Sequence, residues 1–194
     1  MKIPNGILAL CLLFALSSCA SFQSYSLCDL HLDTEMVILH PSAFNERLIS
    51  NQQVTITTAE HKFEFLAQLE VNKDRLVLVA LTPIGQKLFQ IVYRKRDLQF
   101  ERFGIPDAFD PVFLLADVSL IYADDQTLNH CYSQTSLPRP VIETTKQQRM
   151  VIYPGENEIR IIYSRVDRWA SNIVFINPIR GYKIEIKSLG VERL

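Results

Sequence analysis

From Gln53 to Phe103 the apolar residues recur at every second position, and short turn sequences cut the runs at regular intervals. A period of two is that of a β-strand with one buried face, whereas a helix buries positions three and four apart. "VTITT" alternates and is β-branched. In "KFEFLAQLEV" Phe63, Phe65, Ala67 and Leu69 share one face, and Glu64, Leu66 and Gln68 the other. "RLVLVAL", "KLFQIVYRK" and "LQFERF" follow, separated by Asn72-Lys73-Asp74, Pro83-Ile84-Gly85 and Lys95-Arg96-Asp97. Strands spaced about 8–12 residues apart with turn residues between them form an antiparallel meander.

One segment breaks the pattern. Asp110-Pro111 pairs a capping carboxylate with proline at the first helical position. "VFLLADVSLIYA" then runs to Ala123, with only Asp117 and Ser119 polar. A helix apolar nearly all round has to be covered on most sides. Strands resume as "RMVIYP", "EIRIIYSR", "NIVFINP" and "YKIEIKSL". Before the first meander, Cys28 to His40 is mixed, with an apolar patch at Met36 to Leu39. Pro41-Ser42 followed by "AFNERL" reads as a short helix capped by Ser42, carrying Phe44, Arg47 and Leu48. An antiparallel sheet this long must curl or close. The expected fold is therefore mainly β with a few helices: a curled antiparallel sheet, or half-open barrel, enclosing a central apolar helix.

The N-terminus carries a different signal. Lys2 precedes the uncharged run "ILALCLLFAL" at 7–16, about half the roughly 20 residues a bilayer-spanning helix needs. Leu16, Ser17, Ser18 and Cys19 then resemble the bacterial lipobox. That resemblance implies a signal peptide at 1–18, diacylation of Cys19 with palmitate-type chains, and an acylated tether at 19–27. A single domain at 28–194 follows. Stable attachment takes more than one chain, and a lipoprotein N-terminus has two or three. Ala20, where Asp commonly retains lipoproteins at the inner membrane, implies an outer-membrane anchor facing the periplasm. Lys2 leaves with the leader, so the mature chain is one unit more negative than the formal −1 of the full sequence. Such a charge provides no general field for nucleic acid. Of the four cysteines, Cys11 is discarded and Cys19 acylated. Cys28 and Cys131 remain, and in an oxidising compartment they read as one disulfide.

Arg75 to Ile91, "RLVLVALTPIGQKLFQI", resembles the strand, Asn/Thr-Pro-Leu-Gly turn, strand segment of the outer-membrane receptor LolB, with Thr82, Pro83, Ile84 and Gly85 in the turn. "INPIRGYKIEIKSL" is similar to the closing hairpin of that class. In element order the chain resembles the LolA/LolB periplasmic lipoprotein carriers over roughly 50–190, and the lipoproteins related to them in aryl-polyene-type gene clusters. The resemblance implies a half-open barrel with an apolar cavity for acyl chains, and a lipid, lipoprotein or glycolipid ligand. The LolB receptor also has a protruding loop with an exposed apolar residue used in membrane delivery. No loop of this sequence matches it, Leu137 in "SLPRP" lying in the wrong part of the chain. A specialised cargo, one glycolipid or acyl-linked pigment, is the expectation that follows.

The inner-face candidates for such a cavity are Phe63, Phe65, Leu69, Leu78, Phe89, Ile91 and Phe100 on strands, with Phe113, Leu114, Val118 and Ile121 on the helix. Two readings stay open: a lipid-binding cavity, or a filled core in a structural lipoprotein that recruits protein partners to an envelope assembly. Arg94, Lys95 and Arg96 read as a solvated hairpin turn, or as a headgroup contact. Trp169 reads as an interfacial anchor or as packing over a strand end. No GxSxG elbow, HExxH or P-loop occurs. Asp124-Asp125 near His130 reads as a solvated turn. The chain is expected to be non-enzymatic, without cofactor or metal, and not to bind nucleic acid.

Overall fold

The structure, a computed structural model, describes residues 27–31, 36–105, 109–135, 139–155 and 157–194. The leader, Cys19 and Leu137 lie outside the described residues. The elements are β1 (Cys28–His31), β2 (Met36–Leu39), a single 3-10 turn (Pro41–Phe44), β3 (Leu48–Thr58), β4 (Lys62–Val71), β5 (Arg75–Leu81), β6 (Lys87–Arg94) and β7 (Asp97–Arg102). Then come α1 (Pro111–Tyr122), α2 (Asp125–Ser133), β8 (Val141–Thr144), β9 (Gln148–Tyr153), β10 (Asn157–Tyr163), β11 (Ile173–Asn177) and β12 (Tyr182–Arg193).

The main sheet has ten strands in the order β7-β6-β5-β4-β3-β12-β11-β10-β9-β8, antiparallel throughout. Two meanders, β3–β7 and β8–β12, meet along a seam between β3 and β12. That seam runs from Leu48 opposite Arg193 to Thr58 opposite Tyr182, with a bulge at Ser188/Gly190. The sheet does not close: β7 and β8 are its two edges. The chain leaves at the β7 edge, passes through α1 and α2, and re-enters at the β8 edge. The helices therefore span the gap in the sheet.

Alternation in the sequence becomes alternation in burial. Phe65, Ala67, Leu69 and Val71 of β4 are buried, as are Leu76, Leu78 and Ala80 of β5 and Phe89, Ile91 and Tyr93 of β6. From the other meander come Ile159, Ile161, Phe175, Ile184 and Ile186. Leu115 to Ala123 of the α1 segment pack with them in one continuous core. Asp110 caps α1 by accepting from Val112 N at 2.8 Å, with Pro111 beside it in the first turn.

The C-terminal half of α1 is held by polar contacts that a purely apolar helix would lack. Ser119 Oγ accepts from Leu39 N (3.1 Å) and donates to Leu115 O (2.8 Å), fastening β2 to the helix. Gln52 on β3 donates to Tyr122 Oη at 2.8 Å, and Tyr163 Oη donates to Ile121 O at 2.7 Å. Fully buried Arg149 on β9 donates to Leu120 O, to Ala123 O and to the Asp125 carboxylate. Arg168 donates to Ala123 O as well. Cations at a helix C-terminus satisfy its orphan carbonyls and complement its dipole.

Several expectations need correction. Ser42 does not cap a helix reaching Leu48; His40 caps one 3-10 turn that ends at Asn45, in the left-handed conformation (φ 50°). Leu48 instead begins β3, because its alternation with Ser50 and Gln52 already places it on the inner face. Asp124 and Asp125 are not a free turn: Asp124 caps α2 through Thr127 N, and Asp125 pairs with Arg149. Trp169 is not an interfacial anchor. It is buried, stacked on Tyr122 with ring centroids 4.1 Å apart. The Lys95-Arg96 turn forms as expected, both residues at positive φ (49° and 67°), which is the tight hairpin geometry.

Cys28 and Cys131 form a disulfide across 103 positions of sequence. It ties the β1–β2 hairpin to α2, so the hairpin is stapled over the helices rather than joined to the main sheet. Replacing both cysteines by serine is expected to lower stability by about 2–4 kcal/mol, somewhat below the chain-entropy value for so long a loop. Denaturant unfolding of the oxidised and double-mutant proteins measures it. Arg149→Met is expected to cost about 3 kcal/mol, because it removes the donor to Leu120 O, leaves Ala123 O to Arg168 alone and takes the buried cation from Asp125, while nearly keeping the side chain's volume. A melting temperature unchanged from wild type would contradict the helix clamp.

Candidate functional site

Two crevices meet at the middle of α1, and Asp117 lines both. The first is apolar, about 130 Å³. Ile56 of β3, Phe63 of β4, Tyr182 and Ile184 of β12, and Phe109, Phe113 and Leu114 at the start of α1 form its walls. The second is of mixed polarity, about 240 Å³. Met36 and Val37 of β2, Ala116 and Leu120 of α1, Tyr132 of α2, Tyr153 of β9 and Ile159 of β10 line it. Asn157, Asn177 and Arg180 supply its remaining polar groups. A broader hollow of about 540 Å³ at Ser42, Asn45–Arg47 and Asn72–Asp74 is an open polar surface away from the helix.

Three of the eleven cavity candidates, Phe63, Phe113 and Leu114, come together at the apolar crevice. The other eight fill space. Phe65, Phe89 and Phe100 join Phe109 in an aromatic cluster: Phe89 lies 5.8 Å from Phe65, 6.1 Å from Phe100 and 6.2 Å from Phe109 between ring centroids. Leu69, Leu78, Ile91, Val118 and Ile121 are buried in the core. Phe109 also meets Phe63 edge-on at 5.3 Å. It stands just before α1, outside any strand pattern, so periodicity alone does not mark it. In this state the apolar crevice is smaller than the roughly 300 Å³ at which small-molecule pockets begin.

Asp117 is the other residue that pattern reading passes over. It is 3 % exposed, the one acidic residue on a helix built mainly of apolar side chains. Tyr182 Oη donates to its Oδ2 at 2.5 Å, while Oδ1 is buried with no protein partner. Burial pushes the carboxyl up from 3.8 to about 7, against the opposing Tyr182 hydrogen bond and the Arg180 charge. Arg180 sits in the β11–β12 turn. Its backbone N donates to Asn177 Oδ1 at 3.2 Å, and its guanidinium lies 3.8 Å above the Phe113 ring centroid. Its Nη1 is likewise buried without a protein partner. Tyr132 and Tyr153 share a hydrogen bond of 3.0 Å between hydroxyls. Burial raises both phenols, and the tyrosine neighbour adds to this for Tyr132. The signal that could have found the site is the single carboxylic acid in "VFLLADVSLIYA".

At the far end of the sheet, Ile84 stands at the tip of the β5–β6 turn, 81 % exposed, with Gly85 beside it at φ 86°. No described helix is long and apolar enough to cross a membrane.

A family model described as a protein of unknown function (DUF3261) matches residues 50–190. The chain belongs to the DUF3261 family. The matched span holds both helices and nearly all of the ten-stranded sheet, and so the whole apolar crevice and the mixed-polarity one except its β2 wall. The β1–β2 hairpin and Cys28 precede the span that matches DUF3261. None of the curated proteins matches the chain.

The raised Asp117 pKa makes a statement about stability. Between about pH 4 and about pH 7 the folded chain keeps a proton that the unfolded chain releases. This group's stabilising contribution is therefore full below about pH 4, declines as pH rises, and is gone above about pH 7. Tyr182, Arg180 and Tyr153 are the titratable or charged groups coupled to it. Asp117→Asn removes the effect. The variant is expected to lose about 2–3 kcal/mol less than wild type between about pH 5 and about pH 8. Parallel pH–stability curves for the two proteins would contradict it.

Proposed function

We propose that this DUF3261 protein is a lipid-anchored, periplasm-facing protein of the outer membrane, and that it binds acyl chains or a glycolipid between α1 and the sheet. No covalent chemistry is involved. The observation that carries the reading is the uneven attachment of α1. The polar contacts from β2, β3, β9 and β10 all fall at Ser119 or beyond; ahead of them α1 receives the Tyr182 hydroxyl at Asp117 and the Arg180 guanidinium over the Phe113 ring. Residues 111–114 are half-buried, and Phe113 and Leu114 rest on the phenylalanine-lined crevice. Lifting that first turn widens the crevice while the clamp holds. An apolar tail entering there gains about 0.8 kcal/mol per buried methylene.

The likeness of Arg75–Ile91 and of the closing hairpin to the LolA/LolB carriers supports the same reading, as does the lipobox at Leu16–Cys19. A candidate for the exposed apolar loop is Ile84, on the turn that resembles the receptor's own sequence. A delivery role at the membrane thereby regains support beside that of a specialised cargo carrier.

The test is native mass spectrometry of the secreted protein carrying Cys19→Ser, purified without detergent. A co-purifying acyl or glycolipid mass is expected, lost on Phe113→Asp, which puts a charge in the crevice. A clean apo mass that takes up no added lipid would overturn the reading. It would favour a scaffold with a filled core that recruits protein partners.

A further inference from the structure

Asp117 and Arg180 both line the mixed-polarity crevice, and each carries one buried polar atom without a protein partner, Oδ1 and Nη1. More than nine in ten buried polar groups are paired, and an unpaired one costs roughly 1–3 kcal/mol, more when charged. Two such side chains lining one cavity are a matched set: a carboxyl oxygen can accept a hydrogen bond and a guanidinium donates one. Tyr132, Tyr153 and Asn157 add neutral hydrogen-bonding groups around them. The cavity, about 240 Å³, is too small for an acyl chain plus its headgroup but large enough for the headgroup alone. Asp117 also lines the apolar crevice, and Arg180 covers the ring of Phe113, which lines that crevice too. Polar and apolar compartments thus share a wall.

We propose that this crevice is a headgroup site. It takes the polar end of an amphiphile bearing an anionic phosphate or carbonyl oxygen for Arg180 and, close by, an ammonium or hydroxyl donor for Asp117. The inference rests on the amphiphile-binding reading above and deepens it. Asp117 and Arg180 offer an acceptor and a donor to the same crevice, so the site prefers a zwitterionic or hydroxyl-bearing head to a bare anion.

Binding of three probes to the Cys19→Ser protein tests this. Lysophosphatidylethanolamine has tail, phosphate and ammonium. A fatty alcohol of equal length has the tail without the anionic oxygen. Glycerophosphoethanolamine has the head without the tail. Arg180→Met is expected to weaken lysophosphatidylethanolamine at least tenfold and to leave the fatty alcohol unchanged. Asn157→Asp, an exposed substitution that brings a repelling charge to the same crevice, is expected to act in the same direction and guards against a misfolded Arg180 variant. If wild type and both variants bind the phospholipid equally, the headgroup site is overturned while amphiphile binding stands. If the tailless probe binds as tightly as the phospholipid and Arg180→Met abolishes both, the site stands as a receptor for a free polar head, and the amphiphile reading falls. If no probe binds wild type, both are overturned.

Discussion

The polar clamp on the C-terminal half of α1 is the interaction on which the interior depends. An all-apolar helix laid against a curled sheet can slide and rotate at little cost, since dispersion and burial are non-directional. Hydrogen bonds to three carbonyls at its C-terminal end, of Leu120, Ile121 and Ala123, remove that freedom. They come from Arg149 and Tyr163, on neighbouring strands of the second meander, and Ser119 adds the β2 edge. With the helix fixed at that end, Asp117 has a defined depth, and two crevices of different polarity can sit on either side of it.

The clamp also explains an asymmetry in how charge is handled. Arg149 is buried among carbonyls and a carboxylate that all accept from it, so its charge is compensated. Asp117 is buried with a single donor, Tyr182, and holds its proton to about pH 7. One buried ionisable group is finished as structure, and the other is left partly unsatisfied at a cavity. Perturbed groups of the second kind cluster at functional sites, and here it coincides with the one place where both crevices touch.

Much of the fold was legible from residues alone. Alternation in β4, β5 and β6 identifies the inner face residue by residue, because a period of two admits only one other register, and that register buries Glu64 and Gln68. Asp110-Pro111 marks the helix start because capping is local chemistry. Less legible were the features decided by distant partners. Helix α2 is short and polar and exists because Asp124 caps it and Cys131 is bound to Cys28. Hairpin β1–β2 pairs only with itself, and helix α1 covers it. For the cavity, strand periodicity separates inside from outside but not filled from empty. The difference between Phe89, locked in an aromatic cluster, and Phe63, at a crevice, is set by where Phe109 arrives from outside the strands.

The seam between β3 and β12 carries a consequence for how such a chain is made. Each meander is built from neighbours in sequence and can form by itself, but the seam joins Leu48 to Arg193 and so needs both ends of the chain. Pairing of such sequence-distant strands is intrinsically slow. A chain made N-terminus first would finish its first meander before β12 was synthesised, leaving an eleven-residue strand as a raw edge. Such an edge is a template for unwanted partners. β12, made after the other nine strands of this sheet, is then the strand that covers the edge, and biogenesis sets a clock that the folded structure no longer displays.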